Sequence, residues 1–230
     1  MSASSTGSPA GSSSVEMLTH NKVQLALHHL QTSGSGRPLL ILHGLGEHTV
    51  ADVPPWAASW DGPIAGLDFT GHGQSTIPPG GGYNAEILLA DADIALAALA
   101  GDDGKITVAG RGLGAYIALM LAGARAPQVH GAVLMDGIGL TGGATGPTSG
   151  SFVLLPPSAT PPDPYALFEM SRDLRPPDYA THFVRLAVEA SGLDEPIAVC
   201  GITRPPWLAT VVDEVGVITC TIDEALRLYA

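Results

Sequence analysis

The stretch KITVAGRGLGAYIALMLAGA, residues 105–124, decides the fold. Residues 105–109 form a short run with β-branched residues that reads as a strand. Residues 113–124 are almost continuously apolar, and their length points to a helix buried on every side. Pro127 lies beyond the expected end of that helix. Between strand and helix stands Gly110-Arg111-Gly112-Leu113-Gly114, with glycine at every second position. A strand that turns through glycines directly into a buried helix is part of a β-α-β unit.

The pattern continues outward in both directions. Residues 129–135 (VHGAVLM) read as the next strand, and 84–100 as the preceding helix, with Ile87, Leu88, Ile94, Ala95 and Leu99 at helical spacing. Residues 63–67 and 38–42 (PLLIL) are further short apolar strands. Two more, 15–19 and 23–30, are joined tightly at Asn21-Lys22. Toward the carboxyl end, helices are expected over 164–172, 179–191, 206–212 and 223–229, with strands over 197–201 and 217–220. Such alternation predicts an α/β domain with a mostly parallel sheet and helices on both faces. The Ser/Gly-rich residues 1–14 read as a disordered tail and 15–230 as one domain. Residues 137–164, dense in Gly, Thr, Ser and Pro around one apolar patch at 152–155, read as a lid-like insertion.

Composition narrows the function. Ten Lys+Arg against 22 Asp+Glu give a net charge of −12, which disfavours nucleic acid and anionic lipid as partners. No run of about 18 apolar residues is present to span a membrane, and the amino end lacks the features of a secretory signal. Cys200 and Cys220 have neither zinc nor CxxC spacing, so two free thiols in a reducing cytoplasm are expected. No cofactor and no metal are expected.

Three motifs follow strands, where open α/β sheets build their sites. They are His43-Gly44-Leu45-Gly46, then Asp68-Phe69-Thr70-Gly71-His72-Gly73-Gln74-Ser75, then Gly110–Gly114. In this order and spacing they resemble the α/β-hydrolase superfamily: an oxyanion loop, the next strand-to-helix turn, and the place of the G-x-S-x-G nucleophile elbow. The resemblance covers roughly residues 15–230 and is most specific over 38–136. It implies an eight-stranded sheet, mostly parallel, with the second strand antiparallel.

The departure from that family is the central observation. Gly112 occupies the nucleophile position, and glycine has no side chain with which to attack. Arg204 stands about where the family's acid would follow the penultimate strand. Thr221 stands in the stretch where its histidine would follow the last, and no histidine occurs after His182. What survives is backbone: the N–H groups of Leu113 and Leu45, flanked by Gly112 and Gly44, would form an oxyanion hole able to hold a carbonyl or a small anion. Asp136, at the end of the following strand, is a further pocket candidate. His43, His72, Asp68 and Ser75 read as turn-stabilising residues, His182 as a packed or surface histidine, and nothing activates Cys220. The reading is a catalytically degenerate α/β-hydrolase-fold protein: a binding or regulatory module for a small apolar or carbonyl-containing ligand. The alternative is an enzyme, a hydrolase or a lyase, with a non-family catalytic set, such as a water held by Asp136 or a histidine.

Overall fold

Four-residue strand β3 (Leu39–Leu42) lies near the middle of the sheet, and its alternation sorts the core into two layers. The computed structural model describes residues 14–100, 104–143 and 158–230. Around β3 run β1 (Ser14–His20), β2 (Val23–Gln31), β4 (Ile64–Leu67), β5 (Ile106–Arg111), β6 (Val129–Met135), β7 (Ile197–Val199) and β8 (Val217–Thr219). Their order across the sheet is β1-β2-β4-β3-β5-β6-β7-β8. Strand β2 is antiparallel to both β1 and β4, and every other neighbouring pair is parallel, as the resemblance implied. The helices are α1 (Ala85–Ala100), α2 (Leu113–Ala124), α3 (Pro164–Met170), α4 (Pro177–Ala190), α5 (Pro206–Val212) and α6 (Ile222–Tyr229). None of these is long and apolar enough to cross a membrane.

Apart from element ends that shift by one or two residues, two details differ from the sequence reading. Ser14, expected as the end of a tail, opens β1 and pairs with His29. Between β3 and β4 there is a 3-10 turn at Pro55–Ala57, which the apolar pattern did not signal. Pro54 and Pro55 offer no N–H there. The expected tail residues 1–13 and the central part of the expected lid, 144–157 with its apolar patch, lie outside the described residues.

Alternate residues of each strand face opposite layers. Leu40, Leu42 and Val108 point to the larger cluster, with α1, the wholly apolar α2, α4 and α5. Leu39, Ala109, Val133 and Ala198 point to the smaller one, closed by Ala57, Trp60 and the Ala225, Leu226 and Tyr229 stripe of α6. Helix α6 is pinned at its end: the Tyr229 carbonyl accepts from Arg37 Nη1 and from Thr107 Oγ1, both at 2.9 Å.

Polar groups at the strand ends lock the turns. Asp68 accepts Thr49 N–H at 2.7 Å, Gln74 N–H at 2.8 Å and His28 Nε2 at 2.9 Å. Burial works to raise its pKa, but these partners outweigh burial and hold the carboxyl below its ordinary value. Ser75 Oγ donates to Asp68 O and receives Ala26 N–H at 2.9 Å. Asp91, buried in α1, accepts Thr70 N–H at 2.8 Å and Thr70 Oγ1 at 3.0 Å. His43 donates from Nδ1 to Gly44 O at 2.7 Å and accepts Phe69 N–H on Nε2 at 3.1 Å. His72 does likewise, from Nδ1 to Thr70 O at 3.1 Å and on Nε2 from Gly46 N–H at 3.2 Å. Each ring is therefore a neutral strut between two backbone groups.

These struts set the pH dependence of stability. Burial, then His72, pushes His43 down to about 3, and burial lowers His72 as well. A depressed histidine contributes stability that is full above its unfolded pKa of about 6.5 and lost as pH falls toward the folded value. Burial pushes Asp91 up to about 7, so its contribution has the opposite slope: full below about pH 3.9 and lost as pH rises toward 7. Between about pH 4 and 6.5 the aspartate offsets part of the histidine slope. The isosteric Asp91→Asn variant should lose stability on acidification more steeply than wild type, by about 1.4 kcal/mol per pH unit across that window. Urea unfolding at a series of pH values measures it; parallel curves for the two proteins would refute the assignment.

Candidate functional site

Loops leaving the carboxyl ends of β3, β5 and β6 meet at the turn into α2, where the sequence places its elbow. Gly112, the residue before α2, has φ +58° and ψ −120°, a left-handed conformation that favours glycine. Its N–H donates to Met135 O at 3.1 Å and its carbonyl accepts Ala115 N–H at 3.1 Å. Gly114 lies against the end of β3: its N–H donates to His43 O at 3.1 Å, and a Cβ there would stand 2.6 Å from that oxygen. The alternate glycines thus allow the turn to press against its neighbours.

Leu113 N–H and Leu45 N–H converge on one point, as two oxyanion-hole donors would. The acceptor found there belongs to the chain itself. Ile138 O receives Leu113 N–H at 2.9 Å and Leu45 N–H at 3.0 Å. The expectation that these donors stand open to an external carbonyl or anion is corrected accordingly. The physical reason is the lack of side chains at Gly112 and Gly137. A Cβ on Gly112 would overlap Ile138 O and come within 2.6 Å of Gly137 C and 2.7 Å of Ile138 N. A Cβ on Gly137 would reach 2.7 Å from Gly112 N. With glycine at both positions the β6 loop closes onto the elbow. Only the backbone of Ile138 enters, since the residue as a whole is 58% exposed.

The closing loop is clamped from behind. Arg175, only 2% exposed, donates from Nη1 to Gly139 O at 2.5 Å and to Leu140 O at 2.6 Å. Trp207 Nε1 donates to the same Leu140 O at 2.8 Å. The guanidinium lies 4.8 Å from the Tyr116 ring centroid, and Tyr116 meets Trp207 edge-on at 5.0 Å. Burial pushes Arg175 down to about 10, which leaves it charged at neutral pH. On the other side, Glu47 accepts Gly44 N–H at 2.9 Å and pairs with Arg111 at 3.3 Å. Neither Ile138, Arg175 nor Glu47 was singled out from the sequence. A backbone acceptor carries no residue signature, and Arg175 and Glu47 fall in no recognised motif.

The remaining candidates have local partners. Asp136 accepts Ile202 N–H at 2.7 Å and Thr203 N–H at 3.0 Å, so it fastens the loop after β7. Burial would raise its pKa, but those N–H groups lower it on balance. Arg204 donates to the carbonyls of Gly201 and Thr203. Thr221 is the N-cap of α6 in a reciprocal capping box with Glu224. His182 is exposed on α4, beside Phe183. Two clefts open beside the loop after β3, and one of them reaches Arg111 of the elbow. One, of about 610 Å³, is lined by Leu30, Ile41, Val53, Trp56, Glu47 and Arg111 among others. The other, of about 580 Å³, includes His28, Thr49, Asp68 and Gln74. Gly112, Leu113 and Asp136 line neither.

Comparison with known proteins agrees with this fold. The family model described as the alpha/beta hydrolase family matches residues 39–230. Among solved structures, the chain is similar to the thioesterase domain from the curacin biosynthetic pathway, with 15% identity and a TM-score of 0.61 over 94% of this chain and 95% of that one. It is also similar to a membrane phospholipase A described as a bacterial virulence factor, with 17% identity and a TM-score of 0.50 over 92% of this chain and 79% of that one. At these identities the likeness is one of fold. No curated protein sequence matches the chain.

The close contact at the elbow predicts a stability effect. Gly112→Ala combines a left-handed backbone at a residue with a Cβ, costing about 1–3 kcal/mol, with a clash against the Gly137–Ile138 backbone of similar size. We expect a loss of at least about 2 kcal/mol, a fall in Tm of about 4–8 °C for a domain of this size. Calorimetry checks it. An unchanged Tm would mean that the β6 loop does not rest on the elbow.

Proposed function

The chain belongs to the alpha/beta hydrolase family, and we propose that it is a member without the family's hydrolytic chemistry, acting as a small-molecule-binding or regulatory module. One observation carries this reading: Ile138 O accepts both Leu45 N–H and Leu113 N–H. A hydrolase of this fold needs that pair of donors free for the oxygen of a tetrahedral intermediate. Here an internal carbonyl saturates both. Gly112 supplies no nucleophile, and activation of one would require a positioned base. Thr221, where the family's histidine would stand, is engaged in capping α6, and Arg204 brings a cation to the place of the acid.

The ligand we infer is a small, mainly apolar molecule in the cleft of about 610 Å³ beside Ile41, Val53 and Trp56, a volume in the usual range for small-molecule sites. A carbonyl group on that ligand would not reach the Leu45 and Leu113 donors while Ile138 holds them. The competing reading, an enzyme holding water on Asp136 or a histidine, has no support from their partners. The Asp136 oxygens both receive N–H groups, and His43 and His72 each bond backbone through both ring nitrogens.

The test is an assay of the purified full chain with p-nitrophenyl acetate and butyrate, together with labelling by a fluorophosphonate probe. Wild type should show background turnover and no labelled elbow. Gly112→Ser should show the same, because a serine hydroxyl remains a weak nucleophile without a base. Turnover that persists through repurification in wild type, or that appears in Gly112→Ser, would overturn the proposal.

A further inference from the structure

The two cysteines meet at the edge of the sheet farthest from β1. Strands β7 and β8 pair in parallel, with Ile197 opposite Val217, Ala198 opposite Ile218 and Val199 opposite Thr219. Cys200 and Cys220 are the next residue after each strand, and Cys220 N–H donates to Val199 O at 3.4 Å, so the two chains still run side by side there. Side chains alternate along a strand, and both cysteines pack against the same cluster as Ala198 and Ile218. Both thiols therefore project from one face. Residues opposite one another on paired strands are about 4.8 Å apart. That separation lies in the Cα window of roughly 4.4–6.8 Å that a disulfide requires. Each cysteine is partly exposed, within reach of a small oxidant.

We propose that Cys200 and Cys220 form a dithiol site that a low-molecular-weight disulfide of the glutathione class oxidises to a reversible intramolecular disulfide. Cys220 reacts first, because it stands between exposed Thr219 and Thr221, whereas Cys200 stands between buried Val199 and Gly201. The Cys220 thiol gives up its proton, and its sulfur attacks one sulfur of the oxidant. A mixed disulfide forms, and one thiolate leaves. Cys200 then gives up its proton and attacks the Cys220 sulfur; the second thiolate leaves as the internal S–S bond closes. Two electrons pass from the protein to the oxidant, and the two protons end on the two released thiols. Burial pushes the Cys200 thiol up to about 12 and raises that of Cys220, so the exchange quickens with rising pH. The bond would tie the strand ends that lead into the Arg204 and Thr221 loops.

The full chain, reduced and desalted, is incubated folded with oxidised glutathione at about pH 8.5, near the ordinary thiol pKa, then acid-quenched, unfolded and alkylated for intact mass. The expected wild-type product is monomeric, lighter by two hydrogens, free of alkyl groups and restored by dithiothreitol. Cys200→Ser should stop at a persistent glutathione adduct on Cys220. Wild type that keeps both thiols alkylatable, carries two lasting adducts or links into dimers overturns the proposal. A Cys200→Ser variant without adduct overturns the order of attack.

Discussion

The carbonyl oxygen of Ile138 ties together the loops leaving β3, β5 and β6, since it takes one N–H from Leu45 and another from Leu113. Much of the site is arranged around that shared acceptor. It depends on glycine at 112 and 137, because a Cβ on either would push the two backbones apart. It depends equally on Arg175 and Trp207, which hold the next two carbonyls of the same loop from the far side. Left unpaired, the Leu113 N–H at the start of buried α2 and the Leu45 N–H in the loop after β3 would carry a desolvation cost of about 1–3 kcal/mol each. The internal carbonyl removes that cost without any bound molecule.

The surrounding polar groups follow the same logic. His43 and His72 are residues that can act as bases, yet both nitrogens of each ring are committed to backbone. Asp68 and Asp91 gather N–H and hydroxyl donors from the turns around them. Asp136, Arg204 and Thr221 each serve a nearby loop or helix end. Groups of catalytic type here work as fasteners, and their strength comes from burial with satisfied partners.

Most of the architecture could be read from residue patterns. Most of the inner strands are short apolar runs and α2 is apolar throughout, so element type and chain order followed from residue pattern. The glycines of 110–114 pointed to the elbow, and the turn roles expected for His43, His72, Asp68 and Ser75 correspond to the bonds they make. The site was less accessible. Leu45 and Leu113 were identified as convergent donors, but their acceptor is a main-chain atom that any residue at 138 would supply. Arg175 acts by reaching across to Gly139 and Leu140, a long-range contact that no local spacing encodes. Thr221 is a different case, because Thr221 and Glu224 already had capping-box spacing. The 3-10 turn at Pro55–Ala57 was missed because three residues cannot establish a helical period.

The uneven covering of the sheet bears on the order in which the molecule assembles. One face is closed by α1, α2, α4 and α5, whose contacts accumulate as the chain lengthens. The other relies on α6, whose Tyr229 carbonyl reaches back to Arg37 and Thr107. Contacts so distant in sequence form late and slow folding. Until residues 222–229 have left the ribosome, Leu39, Ala109 and Val133 lack much of their cover. During synthesis the nascent sheet would present one finished side and one adhesive side, the kind of surface on which chaperones act.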